Sequence, residues 1–187
     1  EDGRRLRGQE NRQRIVAAML ELVREGHISP SAEDVSARAE VGLRTVFRHF
    51  NDMDSLYREI SEVMLSEIAP IAGAPLPKGD WPVRLGAMVD RRAVVFEKIM
   101  PFMAAAEVHK HRSAFLREDH ATLAQMQRAM LREALPPALR KERTRLEAID
   151  LLMSFESWRR LRQDQGLSIA QAKKTVLFAV NALGEAD

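Results

Sequence analysis

The sequence predicts an all-α protein: an N-terminal unit of three to four helices built around a helix-turn-helix, and a C-terminal bundle of five helices. Three observations carry this. Apolar residues recur at i, i+3, i+4 spacing along nearly the whole chain, and strand-like alternation is absent. Glycine, proline and N-capping residues fall between the periodic segments. One stretch, "PIAGAPLPKGDWP" at 70–82, holds four of the eight prolines and two glycines, and marks the boundary between the two halves.

The elements follow in order. Residues 1–10 read as a flexible basic arm, which adds Arg4, Arg5 and Arg7 to Arg12 and Arg14 beyond it. Ile15, Ala18, Met19, Leu22 and Val23 form one face of a first helix, and Gly26 is placed to end it. Ser31 is a good N-cap for a short second helix, with Glu33 and Asp34 favourable at its positive end. Its apolar positions are Ala32, Val35 and Ala39. After a break at Glu40–Val41–Gly42, a third helix runs from Leu43 to Phe50. Asp52 caps a fourth, with Leu56, Ile60, Val63 and Ile68 on one side. This gives a unit over 11–69 and a loop over 70–82. A second unit over 83–187 follows, with helices near 83–100, 102–111, 113–134, 138–164 and 169–183. Pro101 is expected to separate the first two, and Pro136–Pro137 the third from the fourth. Gly166 suits a C-cap, and Ser168 with Gln171 has capping-box spacing.

At 187 residues, 45% hydrophobic and 30% charged, the chain is an ordinary globular one. No apolar run approaches the ~20 residues of a membrane span, so no membrane partner is expected. The absence of cysteine excludes disulfides and thiolate metal sites, fits a reducing compartment, and makes a cytoplasmic location the expected one. Net charge is +2, but residues 1–69 hold 10 Arg against 13 acids, and residues 70–187 hold 19 cations against 14 acids. Any anionic partner of the first unit must therefore meet a local basic face.

"VGLRTVFRHF", residues 41–50, supplies such a face. Two short helices joined by a tight turn describe a helix-turn-helix, in which the first braces the second for the major groove of double-stranded DNA. Val35, Ala39, Val41, Val46 and Phe50 have the spacing to pack the pair. Leu43, Arg44, Thr45, Arg48 and His49 are left outward. Arg44 and Thr45 suit base edges, since arginine pairs bidentately with guanine and threonine offers a methyl and a hydroxyl. Leu43 suits a thymine methyl, His49 a phosphate, and Arg48 either. Ser31 can reach phosphate besides capping.

"SAEDVSARAEVGLRTVFRHFNDMDSLYREI", residues 31–60, resembles the DNA-binding domain of the TetR (tetracycline-repressor) family of bacterial transcriptional regulators. The strong part of the resemblance covers about residues 11–65. "SFESWRRLRQDQGLS", residues 154–168, is similar to the end of the penultimate helix in many such proteins. Three positions depart from the family pattern: Glu40 where glycine is usual in the turn, Phe47 where tyrosine is usual, and Met53 where lysine is usual. A glutamate in a left-handed turn position costs roughly 1 kcal/mol relative to glycine. Phe47 and Met53 each lose a phosphate-binding group. The amides that open the fourth helix can still receive a phosphate, and the N-terminal arginines or Arg44 and Arg48 are expected to supply the missing charge.

The second half shows no catalytic constellation, and neither an enzyme nor a cofactor is expected. His109 and His111 face different directions on a helix, and with His120 they read as surface histidines rather than metal ligands. Met88, Arg92, Phe96, Met100, Met103, Phe115, Met126, Met130 and Phe155 are candidates to line a pocket for a small, largely apolar effector. Arg92 lies on an otherwise apolar stripe, where a charge needs a partner. Leu152, Phe155, Trp158, Val176, Leu177, Val180 and Leu183 give two apolar faces, and the resemblance assigns them to a homodimer interface. It further implies a repressor released from a palindromic operator by an effector. The alternatives are a constitutive DNA-binding regulator and a helical ligand carrier or adaptor.

Overall fold

The structure, a computed structural model, describes the backbone of residues 2–185 and the side chains of residues 6–184. It is all-helical: α1 (Asp2–Arg24), α2 (Ala32–Arg38), α3 (Leu43–His49), α4 (Met53–Ala72), α5 (Trp81–His109), α6 (Ala114–Ala134), α7 (Pro137–Lys141), α8 (Arg143–Leu152), α9 (Phe155–Arg159) and α10 (Ile169–Glu185). A π-helical turn, Arg160–Asp164, continues α9.

Local sequence explains most of the boundaries. α1 ends at Gly26, whose φ of 99° only glycine adopts freely, and the His27 and Gly26 amides cap Leu22 and Val23 carbonyls. α2 starts with a capping box between Ser31 and Asp34. α4 starts at Asp52, whose carboxylate accepts the Ser55 amide at 2.7 Å. α10 starts with the expected Ser168–Gln171 box, with bonds of 2.9 and 3.2 Å.

Four expectations are corrected. α1 reaches back to Asp2, so the arm expected over 1–10 is helical where described; its Arg, Leu, Gln and Glu residues are good helix formers. The side chains of Arg4 and Arg5 lie outside the described residues. α4 runs through Pro70 to Ala72, since a proline in a last turn removes only one bond. Pro101 does not break the chain: α5 is continuous from 81 to 109. Buried side chains anchor it before that proline (Leu85, Met88, Val89, Phe96, Ile99) and after it (Ala105), which outweighs one missing amide. The helix expected over 138–164 is instead α7, α8, α9 and the π turn. Glu142 is extended (φ −87°, ψ 96°), and Ser154 caps a new helix by accepting the Ser157 amide at 3.2 Å.

The chain divides into two compact units, Glu1–Glu67 with Ile99–Asp119, and Ile68–Lys98 with His120–Asp187. The division does not fall at the proline-rich loop; the end of α5 and the start of α6 belong to the first unit. In that unit Ile15, Met19, Leu22 and Val23 of α1 are buried with Val35, Ala39, Val46, Phe50, Leu56 and Ile60. In the second, Leu85, Met88, Val89, Leu131, Leu135, Ile149, Met153, Val176 and Val180 form one core.

Candidate nucleic-acid interface

The turn between α2 and α3 places the candidate recognition helix. Glu40 has φ 52°, the left-handed conformation that the sequence makes unusual for a glutamate. The Val41 amide bonds the Ser36 carbonyl at 3.1 Å and the Glu40 amide bonds Ala37 at 3.2 Å, which closes α2 in a Schellman arrangement. Arg14 steadies this residue from α1, donating to the Glu40 carbonyl at 3.3 Å and pairing with its carboxylate at 3.5 Å.

α3 then presents two faces. Val46, and Phe50 just beyond the helix, are buried. Leu43, Arg44, Phe47 and Arg48 are exposed. These four form two i, i+4 pairs and so make one stripe. Phe47 is 57% exposed and, with the exposed Met53, rims an apolar cleft of about 120 Å³ that reaches in to Val35 and Leu56. Thr45 is half-buried.

His49 departs from expectation. It is half-buried, its Nε2 is buried without a hydrogen-bond partner among the described residues, and its ring edge approaches Gly8 of α1. Burial, then the nearby Arg48 and Arg12 charges, hold its pKa below the ordinary histidine value. It faces α1 rather than the outward stripe, because at 49 the helix has turned about 100° from Arg48.

Two other expected phosphate contacts are already occupied. The Ser31 hydroxyl donates to the Asp34 carboxylate at 2.8 Å and accepts the Asp34 amide at 3.1 Å. At the start of α4, the Ser55 amide serves Asp52.

The arginines of the first four helices sort into two groups. Arg12 pairs with Glu59, donates to the His49 carbonyl at 2.8 Å and lies over the Phe50 ring at 4.6 Å. Arg24 pairs with Glu67 at 2.7 Å. Arg38 pairs with Glu25 at 2.7 Å and Glu21 at 3.4 Å, and the bond to Arg38 holds the Glu25 carboxyl below its ordinary value. Arg58 lies over the Phe115 ring at 4.5 Å. Arg44 and Arg48 make no ion pair with any described residue. Glu21, Glu25, Glu40, Glu59 and Glu67 are thus engaged by the bracing arginines, and Arg44 and Arg48 keep the α3 stripe positive. Arg12, expected among the N-terminal arginines that supply charge to DNA, is instead engaged within the unit: it fastens the end of α3 to α1 and α4. Its partners lie 37 and 47 positions away, beyond the reach of any local pattern.

In the second unit, Arg92 is satisfied internally. It donates to the Met153 carbonyl at 2.5 Å and the Gln127 carbonyl at 2.7 Å. Burial lowers its pKa to about 10, which leaves it protonated at neutral pH. The cavity beside it, lined by Val89, Phe96, Met153 and Trp158, holds about 10 Å³, room for about one water. Of the expected pocket residues, Met88, Phe96 and Phe155 are core, Met126 is exposed, and Met130 lies on a different groove. Met100, Met103 and Phe115 belong to the first unit.

Phe155, Trp158, Val176 and Val180 are also core, so they are not free to meet a second subunit. Leu152, Leu177 and Leu183 are half-buried. The exposed apolar residues nearby are Phe178 on α10, 79% exposed, and Leu151 on α8, 65% exposed. Helical periodicity alone cannot tell which of two adjacent stripes faces inward. The histidines do not converge: His109 stacks on Tyr57 and shares a 3.0 Å bond with Ser29, while His120 lies 3.5 Å from Glu156.

Three solved structures are similar over about nine-tenths of the chain. A transcriptional regulator from Rhodococcus sp. Rha1 has a TM-score of 0.71 at 16% identity, covering 92% of this chain and 95% of that one. The multidrug binding protein EbrR, complexed with imidazole, has 0.63 at 18%, covering 90% and 93%. A member of the TetR family from Streptomyces coelicolor A3 has 0.61 at 20%, covering 90% and 97%. The chain has the fold of these regulators. No protein-family model and no curated protein sequence matches it. In this TetR-type fold, α2 and α3 are the helix-turn-helix, and α4 to α10 complete the helical framework. No helix among the described residues is long and apolar enough to cross a membrane.

Proposed function

We propose that this protein is a sequence-specific DNA-binding transcriptional regulator of the TetR family, acting as a homodimer on a palindromic operator. The observation that carries this reading is the α3 stripe. Arg44 and Arg48 stand exposed and without an ion pair to any described residue on the second helix of a helix-turn-helix, while Arg14, Arg24 and Arg38 of the bracing helices are taken up by acids. Arg44 is assigned to a base edge, Arg48 to a base or phosphate, and Leu43 and Phe47 to apolar contact with thymine methyls and sugars. Thr45, half-buried, is left to a phosphate at the groove edge. One helix-turn-helix reads only a few base pairs, so a two-fold dimer with half-sites about one helical turn apart supplies the specificity. The Phe178 and Leu151 surface is the proposed dimer face, and a monomer at micromolar concentration by light scattering would count against it.

Repression relieved by an effector is the finer part of the proposal. An effector favours a dimer geometry in which the two α3 helices are wrongly spaced for DNA. The likeness to EbrR, a multidrug binding protein, supports a ligand-responsive role. A constitutive regulator is the second reading, favoured by the tightly packed interior beside Arg92. Selection of bound sequences from random DNA tests the core of the proposal. It is expected to enrich a palindrome whose binding weakens steeply with salt; recovery of no sequence above background would sink it.

A further inference from the structure

The cavity beside Arg92 has room for about one water, but the surface of the second unit holds an open groove of about 660 Å³. That size lies within the range of small-molecule sites, ~300–1,000 Å³. Its walls are one stripe of α5, one of α6 and the loop between α4 and α5. Arg84 and Arg91 lie seven residues apart on α5, two turns along one face. Lys78 joins them from the loop. Glu133 of α6 is the one acid among the lining residues, so the groove carries three positive charges against one negative.

These cations are not neutralised from within. Neither Lys78 nor Arg84 makes an ion pair with any described residue. Arg91 spends one amino group on the Ala74 carbonyl, which pins the loop, and is half-buried with no carboxylate partner among the described residues. Burial holds its pKa below the ordinary arginine value. A partly desolvated cation of this kind is stabilised by an incoming anion. By contrast, Arg128 of the same unit pairs with both Glu147 and Asp150. The remaining wall is apolar: Met130 on α6, a side chain that adapts its shape, and Leu76, held between Pro75 and Pro77. Two prolines fix φ on either side of Leu76 and so reduce the ordering the loop undergoes on binding.

We propose that this groove binds a small amphipathic organic anion, its carboxylate or phosphate head held by Lys78, Arg84 and Arg91 and its apolar body laid on Met130 and Leu76. The site itself follows from the second unit alone. Its role as the effector site rests on the regulator reading above.

Titration calorimetry on the full chain tests it, with decanoate and decyl phosphate as probes below their micelle-forming concentrations. Decanol and decyltrimethylammonium serve as neutral and cationic controls. Saturable one-site binding of either anion, with neither control binding, is the expected result; whichever anion binds tighter identifies the head group. Lys78→Glu and Arg84→Glu, whose native side chains make no hydrogen bond or ion pair with any described residue, should each weaken that binding about tenfold or more. No anion binding, decanol binding as well as decanoate, or anion binding unchanged in both variants would overturn the proposal. A gel shift on the selected DNA, with and without the anion, separates the two readings. Anion binding without any change in DNA affinity leaves the groove standing and removes its effector role. DNA binding without anion binding does the reverse.

Discussion

α1 and α3 both carry arginines, but they use them differently. On α1, Arg12, Arg14 and Arg24 each meet a carboxylate from another segment and hold the unit together. On α3, Arg44 and Arg48 meet none among the described residues. Net charge averages over the two groups and hides the positive stripe on α3. What matters is which cations are left once the internal pairs are made. Exposed pairs of this kind are each worth only ~0.2–1 kcal/mol to stability, so the chief consequence of the sorting is for binding.

The strongest way to break the comparison is to remove the unpaired pair. Arg44→Ala with Arg48→Ala is expected to cost about 2–6 kcal/mol of operator affinity, at 1–3 kcal/mol per specific arginine contact, with thermal stability almost unchanged. Arg24→Ala, the control on α1, should leave operator affinity within a few-fold in the same gel shift. Equal losses in the two variants would mean that the sorting is irrelevant.

Arg92 sharpens the contrast from the second unit, since its partners are backbone carbonyls and not acids. Arg92→Met should lower unfolding free energy by about 2–4 kcal/mol in a urea titration, because two carbonyls lose charged donors. An unchanged midpoint would show that water replaces the guanidinium readily.

Glu40 tests whether the turn needs its ion pair with Arg14. Glu40→Gly should stabilise by roughly 0.5 kcal/mol, since glycine relieves about 1 kcal/mol of strain at the 52° φ and the exposed pair it gives up is worth less. A fall in melting temperature would assign the pair a larger share.

The smallest effect concerns His49. Its folded pKa lies below the ordinary value, so between the folded pKa and about 6.5 the unfolded chain binds more protons than the folded one. Its contribution to stability is therefore full above about pH 6.5 and falls away as the pH drops through the folded pKa. Chemical unfolding at pH 5 and pH 7 should show this difference, and His49→Phe should flatten it.

Much of the first unit was legible because its determinants are local. Ser31, Asp52 and Gly26 act within one turn of themselves, and the apolar face of α1 repeats with helical period. The stripe Leu43, Arg44 and Arg48 was readable for the same reason. His49 was misplaced because its environment is set by Gly8 and Arg12, far off in sequence. In the second unit, Pro101 and Ser154 misled in opposite directions. Proline was read as a break where packing on both sides keeps α5 whole. Ser154, between Met153 and Phe155, sits inside an apolar run and gives no sign that it starts a helix. Methionine and phenylalanine fill a core as readily as they line a cavity, so residue type alone does not mark a pocket.

The left-handed Glu40 has a further consequence for motion. Its strain of about 1 kcal/mol is stored in the link between α2 and α3 and is released whenever that link opens. Local opening there starts from a raised baseline, while the caps at Ser31 and Asp52 hold the outer ends of the segment closed. This strained link lies immediately before the helix that carries Arg44 and Arg48, so a small rotation at Glu40 would re-aim both guanidinium groups and leave the three-helix frame intact.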